Sequence, residues 1–185
     1  EVTYVPNGVD NNLFFSKKRK NSQKLRLVFV GRLERQKGIF YLLDALKELD
    51  IDYEFTFVGT GSIEKPMKKR IKQFNLQDKI KMVGEKKYQE IPHYYNQADI
   101  FILPSIWEGF PLVILEAMAC KLPCIITDVG NNKEIFENGK NCLIIPSKNH
   151  QEIKKAIKKL NNLSLRNKIG LNAQKLTQQY SWEKV

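Results

Sequence analysis

The sequence predicts an α/β fold, a Rossmann-like parallel sheet with helices on both faces. Three observations carry that expectation. Short apolar runs stop repeatedly at glycine or proline, as at Gly31, Gly59, Gly84 and Pro104. Stretches with apolar residues at helical spacing separate these runs, and alternating strands and helices imply a parallel sheet covered on both sides. A length of 185 residues, 42% of them hydrophobic, fits one domain with its own core.

Residues 1–5, Glu1 to Val5, read as a strand, and Pro6-Asn7-Gly8-Val9-Asp10 has turn chemistry. Residues 11–24 read as a polar loop. Leu25 to Val30 is a buried-strand run, and Ile39, Leu42, Leu43, Leu46 and Leu49 then mark one helical face. Tyr53 to Val58 is the next strand, 62–74 a basic helix, and Lys79 to Val83 a strand ending at Gly84. A helix over 88–97 precedes the strand Asp99 to Leu103. The helix carrying Leu112, Leu115, Ala119 and Leu122 leads into the strand Cys124 to Thr127. A short helix near 131–137, a turn at 138–141 and a strand from Cys142 to Ile145 follow. Two polar-faced helices near 149–161 and 164–179 finish the pattern. The expected division is a linker and leading strand over 1–24, a binding domain over 25–179, and a departing segment over 180–185.

Composition narrows the function classes. No apolar run approaches the roughly 20 residues that span a bilayer, and the opening reads as a strand rather than a signal peptide. The chain begins at Glu1 without an initiator Met, which reads as a fragment of a longer product. Cys120, Cys124 and Cys142 form no C-x-x-C pair, which suits reduced thiols in a cytosolic compartment. His93 and His150 are the only histidines, and neither stands at zinc-ligand spacing. The net charge of +11 admits a solvated lysine surface, an anionic membrane surface or nucleic acid. The densest cluster, Lys17 to Lys20, lacks the interleaved aromatics of a base-stacking platform.

Ligands of open parallel sheets bind beyond the carboxyl ends of the strands, so the segments after each strand hold the candidate chemistry. In Gly31 to Gly38, the glycine lets backbone approach a ligand, Arg32 offers a planar fork for phosphate oxygens, and Lys37 supplies a point charge near a helix start. This suits a diphosphate, although a solvated basic loop fits the same residues; the Walker pattern is absent. Gly59-Thr60-Gly61-Ser62 is a lone G-x-G, weak evidence of a ligand loop, and reads equally as a turn with Ser62 capping the next helix. Gly84-Glu85-Lys86-Lys87 could line a base pocket. In Pro104 to Glu116, Pro111 suits a first helical turn, where its missing N–H costs little, and the free amides over Gly109 to Leu112, those of Gly109, Phe110 and Leu112, would face an anion or sugar hydroxyls. Glu108 lies in that loop. Glu116 lies among apolar residues, which is costly unless it is hydrogen-bonded, or else it occupies the exposed side of its helix.

These motifs together resemble the C-terminal domain of family-4 retaining glycosyltransferases of the GT-B fold. The match runs nearly end to end: P-N-G-V-D at 6–10, V-G-R-L-x-x-Q-K-G at 30–38, V-G-x-G at 58–61 and A-D-I-F-I-L-P-S at 98–105. It continues with E-G-F-P-L-V-I-L-E at 108–116, an E-x7-E motif, E-x-G-K-N at 137–141, and Tyr180-Ser181-Trp182-Glu183 where such chains turn back toward their other domain. Asn131-Asn132 and Cys142 depart from glycines common in the family, and Pro111 replaces a commoner glycine.

The resemblance implies that Arg32 and Lys37 bind the donor diphosphate and stabilise the leaving nucleotide, with Gly31 beside them. It implies that Glu116 accepts from ribose hydroxyls and that Glu108 contacts the transferred sugar with the amides of Gly109 to Leu112. Glu85 and Lys86 would contact the base. No metal and no cofactor are expected, only a UDP- or GDP-sugar as donor substrate. An N-terminal acceptor domain, cytoplasmic location with peripheral contact to an anionic membrane, and a role in bacterial surface-glycan synthesis are implied; nucleic acid is not. Competing expectations are a non-catalytic nucleotide-binding module, a sugar-nucleotide epimerase or a phosphorylase of the same fold.

Overall fold

The computed structural model describes residues 8–19, 22–109 and 112–181. The strand expected at 1–5 and the residues Pro6, Asn7, Phe110, Pro111, Trp182 and Glu183 lie outside them. Among the described residues six strands form one sheet: β1 (Leu25–Val30), β2 (Tyr53–Val58), β3 (Ile80–Met82), β4 (Ile100–Leu103), β5 (Cys124–Thr127) and β6 (Cys142–Ile145). All neighbouring pairs are parallel, in the order β3-β2-β1-β4-β5-β6. The central strands β4 and β5 are buried at every position, which is why their sequences Ile-Phe-Ile-Leu and Cys-Ile-Ile-Thr do not alternate.

The helices are α1 (Ile39–Lys47), α2 (Glu64–Gln73), α3 (Ile91–Gln97), α4 (Leu112–Ala119), α5 (Asn132–Ile135), α6 (His150–Leu160) and α7 (Leu163–Thr177). Right-handed crossovers carry the chain from β1 outward through α1 and α2 on one face, then back across the sheet to β4 on the other. Accordingly α1 packs on α2 and α6, while α4 packs on α3 and α7. The face of α1 buries Ile39, Leu42, Leu43 and Leu46, the residues whose spacing predicted it. Asn149 and Asn162 cap α6 and α7 by accepting the amides of Glu152 and Leu165.

Two expectations are corrected. Ser62 does not cap α2: its hydroxyl and its amide both bond the Glu34 carboxylate, at 2.5 and 3.0 Å. The segment 11–24 is not simply a polar loop. Phe14 is only 1% exposed and belongs to the core, edge-on to Tyr88 at 5.2 Å between centroids. Arg19 reaches the Cys120 carbonyl at 2.8 Å, beyond the end of α4.

The order of strands reverses between β1 and β4. From β1 the chain departs to one side and from β4 to the other, so the loops at their carboxyl ends face one another across a crevice. Gly38 sets the spacing. Its φ is +68°, and a Cβ there would lie 1.8 Å from the Pro104 carbonyl oxygen. Gly59 repeats the device between β2 and β1, with φ +129° and a Cβ position 2.0 Å from the Gly31 carbonyl oxygen. At the amino ends, Arg26 grips Asp99 through two guanidinium bonds of 2.9 Å, joining β1 to the start of β4. Burial pushes the Asp99 carboxyl up, but its bonds to Arg26 and the guanidinium charge outweigh burial and hold it below 3.8.

Two outcomes follow for stability. Gly38→Ala should cost about 3 kcal/mol, whereas Gly139→Ala, with φ +78° but nothing within 4 Å, should cost only about 1 kcal/mol; denaturant melts of both variants check this. Asp99→Asn should cost about 3 kcal/mol at pH 7, because it strands a largely buried guanidinium. A depressed carboxyl stabilises the fold above its unfolded value and loses that stabilisation as pH falls through its folded value. The deficit of Asp99→Asn should therefore shrink below pH 3.8, and melting curves from pH 7 to 3 measure it.

Candidate active site at the carboxyl edge of the sheet

The loop after β1 tightens into a 3-10 turn at Arg35–Lys37 before Gly38 opens α1. It is fastened to the loop after β4 by the Ile106 amide, which donates to the Gln36 carbonyl at 2.7 Å. That fastening brings Lys37 onto Glu108, with Nζ 2.5 Å from Oε1. Ser105 donates its hydroxyl to the same oxygen at 2.6 Å. The other carboxylate oxygen, Oε2, has no hydrogen-bond partner among the described residues.

Behind Glu108 runs a buried polar chain that sequence reasoning did not find. The Thr127 hydroxyl donates to the Ser105 carbonyl at 2.6 Å, and the Asn132 amide donates to the Thr127 carbonyl at 2.8 Å. Ser105, Thr127 and Asn132 are all essentially inaccessible to solvent. Asn132, noted only as a departure from a familiar glycine, thus secures the strand end on which Glu108 depends. The signal was present as polar residues at the exits of two fully apolar strands.

Glu116 lies inside α4 and is 7% exposed, as a hydrogen-bonded buried acid rather than a surface position. Tyr95 of α3 donates its phenol to Oε2 at 3.1 Å. Burial pushes the Glu116 carboxyl up, and the phenols of Tyr95 and Tyr88 oppose that rise. Glu108 therefore has one oxygen held by the protein and the other without a partner among the described residues, whereas the Glu116 carboxylate is held by Tyr95 at Oε2 and is also bonded by the Tyr88 phenol.

Gly31, Arg32, Glu85 and Lys86 meet elsewhere on the same edge. With Gly59, Thr60 and Ile91 they line a shallow cleft of about 220 Å³ beyond the ends of β1, β2 and β3. Arg32 is exposed there and makes no ion pair with Glu108 or Glu116. The fold thus joins Lys37 to Glu108 directly and gathers Arg32 with Glu85 and Lys86. Glu116 stands on the helix that follows the Glu108 loop. Gly109 is exposed, Leu112 begins α4, and Trp107 beside them is 65% exposed. Phe110 and Pro111, also expected here, fall outside the described residues.

The remaining reactive side chains are quiet. Cys120, Cys124 and Cys142 are free and buried, and burial pushes the Cys120 and Cys142 thiols up to about 12. No helix among the described residues is long and apolar enough to cross a membrane.

Comparison with known proteins gives the arrangement its family. The chain is 34% identical over 181 residues to an uncharacterized glycosyltransferase, MJ1178, of Methanocaldococcus jannaschii, covering 97% of this chain and 50% of that protein. It is 32% identical over 160 residues to the UDP-Gal:alpha-D-GlcNAc-diphosphoundecaprenol alpha-1,3-galactosyltransferase of Escherichia coli, covering 78% and 39%. The chain therefore spans about half the length of these relatives or less. The crystal structure of the C-terminal domain of a glycosyl transferase group 1 family protein, LpcC, from Francisella tularensis superposes with a TM-score of 0.84 at 29% identity. That match covers 95% of this chain and all of that one. The family model for glycosyl transferases group 1 matches residues 10–176. With a Rossmann-like sheet whose β1 and β4 loops converge at the switch point, this chain belongs to the glycosyl transferases group 1 family.

Proposed function

We propose that this chain is the donor-binding half of a retaining glycosyltransferase. It would hold a UDP- or GDP-sugar while a hexose passes to an acceptor hydroxyl during surface polysaccharide or glycolipid synthesis. The observation that carries the reading is the meeting of Lys37 and Glu108 at the switch point, beside a second buried acid. The donor named for the Escherichia coli relative, UDP-Gal, and its lipid diphosphate acceptor support the choice of substrate class.

The chemistry asks for charge control. As the bond from the anomeric carbon to the β-phosphate oxygen breaks, the electron pair leaves with the nucleoside diphosphate. Lys37, already drawn into the crevice, and Arg32, at the cleft, offset the growing negative charge. Neither cation needs a metal to do so, and no metal or cofactor is invoked. Oε2 of Glu108 accepts from a hydroxyl of the transferred sugar. Glu116 accepts from the ribose, and the cleft at Glu85 and Lys86 receives the base. An N-terminal domain, as the longer relatives have room for, supplies the acceptor site.

An anionic membrane at the cytoplasmic face is the second partner we propose. Its support is the charge of +11 and the exposed pair Lys17-Lys18 beside Phe15, which is 45% exposed. Phosphatidylglycerol vesicles should sediment the chain at low salt and release it at high salt. No sedimentation with these vesicles, or equal sedimentation with neutral ones, would remove the anionic membrane from the account.

The catalytic reading has its own test in the full-length enzyme. Arg32→Ala, Lys37→Ala and Glu116→Ala should each lower turnover at least ~10²-fold, and EDTA should leave the wild type unaffected. The 185-residue chain alone should bind a nucleoside diphosphate and transfer nothing. Near-normal turnover in the variants, or transfer by the isolated chain, would contradict the assignment.

A further inference from the structure

Tyr95 occupies a position whose spacing reads as the apolar side of a helix, yet its phenol ends on a carboxylate. The ring is fully buried. Phe101 of β4 meets it edge-on at 5.7 Å between centroids, and Phe14 lies tilted against it at 6.1 Å. Two aromatic neighbours thus fix where the hydroxyl points. A phenol carries a single proton and has two acceptors in reach, Glu116 Oε2 at 3.1 Å and the Val113 carbonyl at 3.2 Å. The Val113 carbonyl belongs to the hydrogen-bond ladder of α4, so the proton is best used on the carboxylate.

We propose that Tyr95 is a positioning residue for nucleotide recognition. By holding Oε2 of Glu116, it turns Oε1 toward the crevice as the acceptor for a ribose hydroxyl. The proposal rests on the reading of Glu116 as the ribose contact and goes beyond it. A carboxylate on a helix can rotate about its terminal bond, and one fixed oxygen removes that freedom before the ligand arrives. Phe14 gives the linker side of the chain a part in this geometry, because it also braces Tyr88, whose half-exposed phenol hydrogen-bonds the same carboxyl and helps Tyr95 hold it. The groups facing Glu116 are the phenols of Tyr95 and Tyr88, with the thiol of Cys120 beyond them.

The test uses the intact chain and calorimetric titration with UDP, GDP and ADP, each paired with its 2′,3′-dideoxy form. Wild type should prefer the ribonucleotide. Tyr95→Phe should weaken the ribonucleotide on the order of tenfold and leave the dideoxynucleotide unchanged, because a charge-assisted bond has been lost only where ribose is read. In a Glu116→Ala background, Tyr95→Phe should cause no further loss, since its effect passes through that carboxylate. The preference for ribose should also fade as pH falls and Glu116 takes up a proton. In Tyr95→Phe that fading should begin at higher pH, because the phenol opposes protonation. Equal weakening of both nucleotide forms, or no weakening of either, would overturn the positioning role alone. A wild-type chain that binds none of the three nucleotides would sink the donor-binding reading together with it.

Discussion

The site depends on one close approach, the passage of the β1 loop against the β4 loop where Gly38 meets the Pro104 carbonyl. A side chain at Gly38 would force the two loops apart. The bond from the Ile106 amide to the Gln36 carbonyl would be stretched first, and the ion pair of Lys37 with Glu108 next. The sheet supplies the reason for the meeting. At the switch between β1 and β4 two strand exits turn away from each other, leaving a crevice between their loops.

What this arrangement holds is costly by itself. Lys37 and Glu108 are nearly buried, and Glu116 sits among the apolar residues of α4. Removing such charges from water is offset only in part by pairing, so functional acids and bases of this kind weaken the unliganded fold. The protein limits that cost by hydrogen-bonding each acid, through Lys37 and Ser105 in one case and the phenols of Tyr95 and Tyr88 in the other. The second oxygen of Glu108 is left for a ligand, and the Glu116 carboxylate keeps acceptor lone pairs beyond those its phenols use. A polyhydroxylated, negatively charged donor fits both requirements, since its hydroxyls can donate to the acids while its phosphates meet Lys37 and Arg32.

The sequence was most legible where the physics is local. Strand exits at Gly31, Gly59, Gly84 and Pro104 and the apolar spacing of α1 placed nearly every element within a residue or two. Legibility failed where a residue is defined by a distant partner. Phe14 sits in a polar context and reveals its burial only through the rings of Tyr88 and Tyr95. Ser62 has the look of a helix cap, but Glu34, distant in the chain and adjacent in space, offers it a charged acceptor. Ser105, Thr127 and Asn132 become one network only when β4 and β5 lie side by side. Motif spacing pointed to Lys37, Glu108 and Glu116; the groups that orient them came from the fold.

The central claim is that loops from separate strands form one nucleoside diphosphate site at the carboxyl edge. Amide shift mapping of the isotopically labelled chain during titration with UDP and GDP addresses it most directly. Perturbations should concentrate at residues 31–38, 84–88 and 105–116 and leave the amino ends of the strands untouched. Shifts scattered over the lysine-rich amino edge, with those three loops silent, would contradict the account.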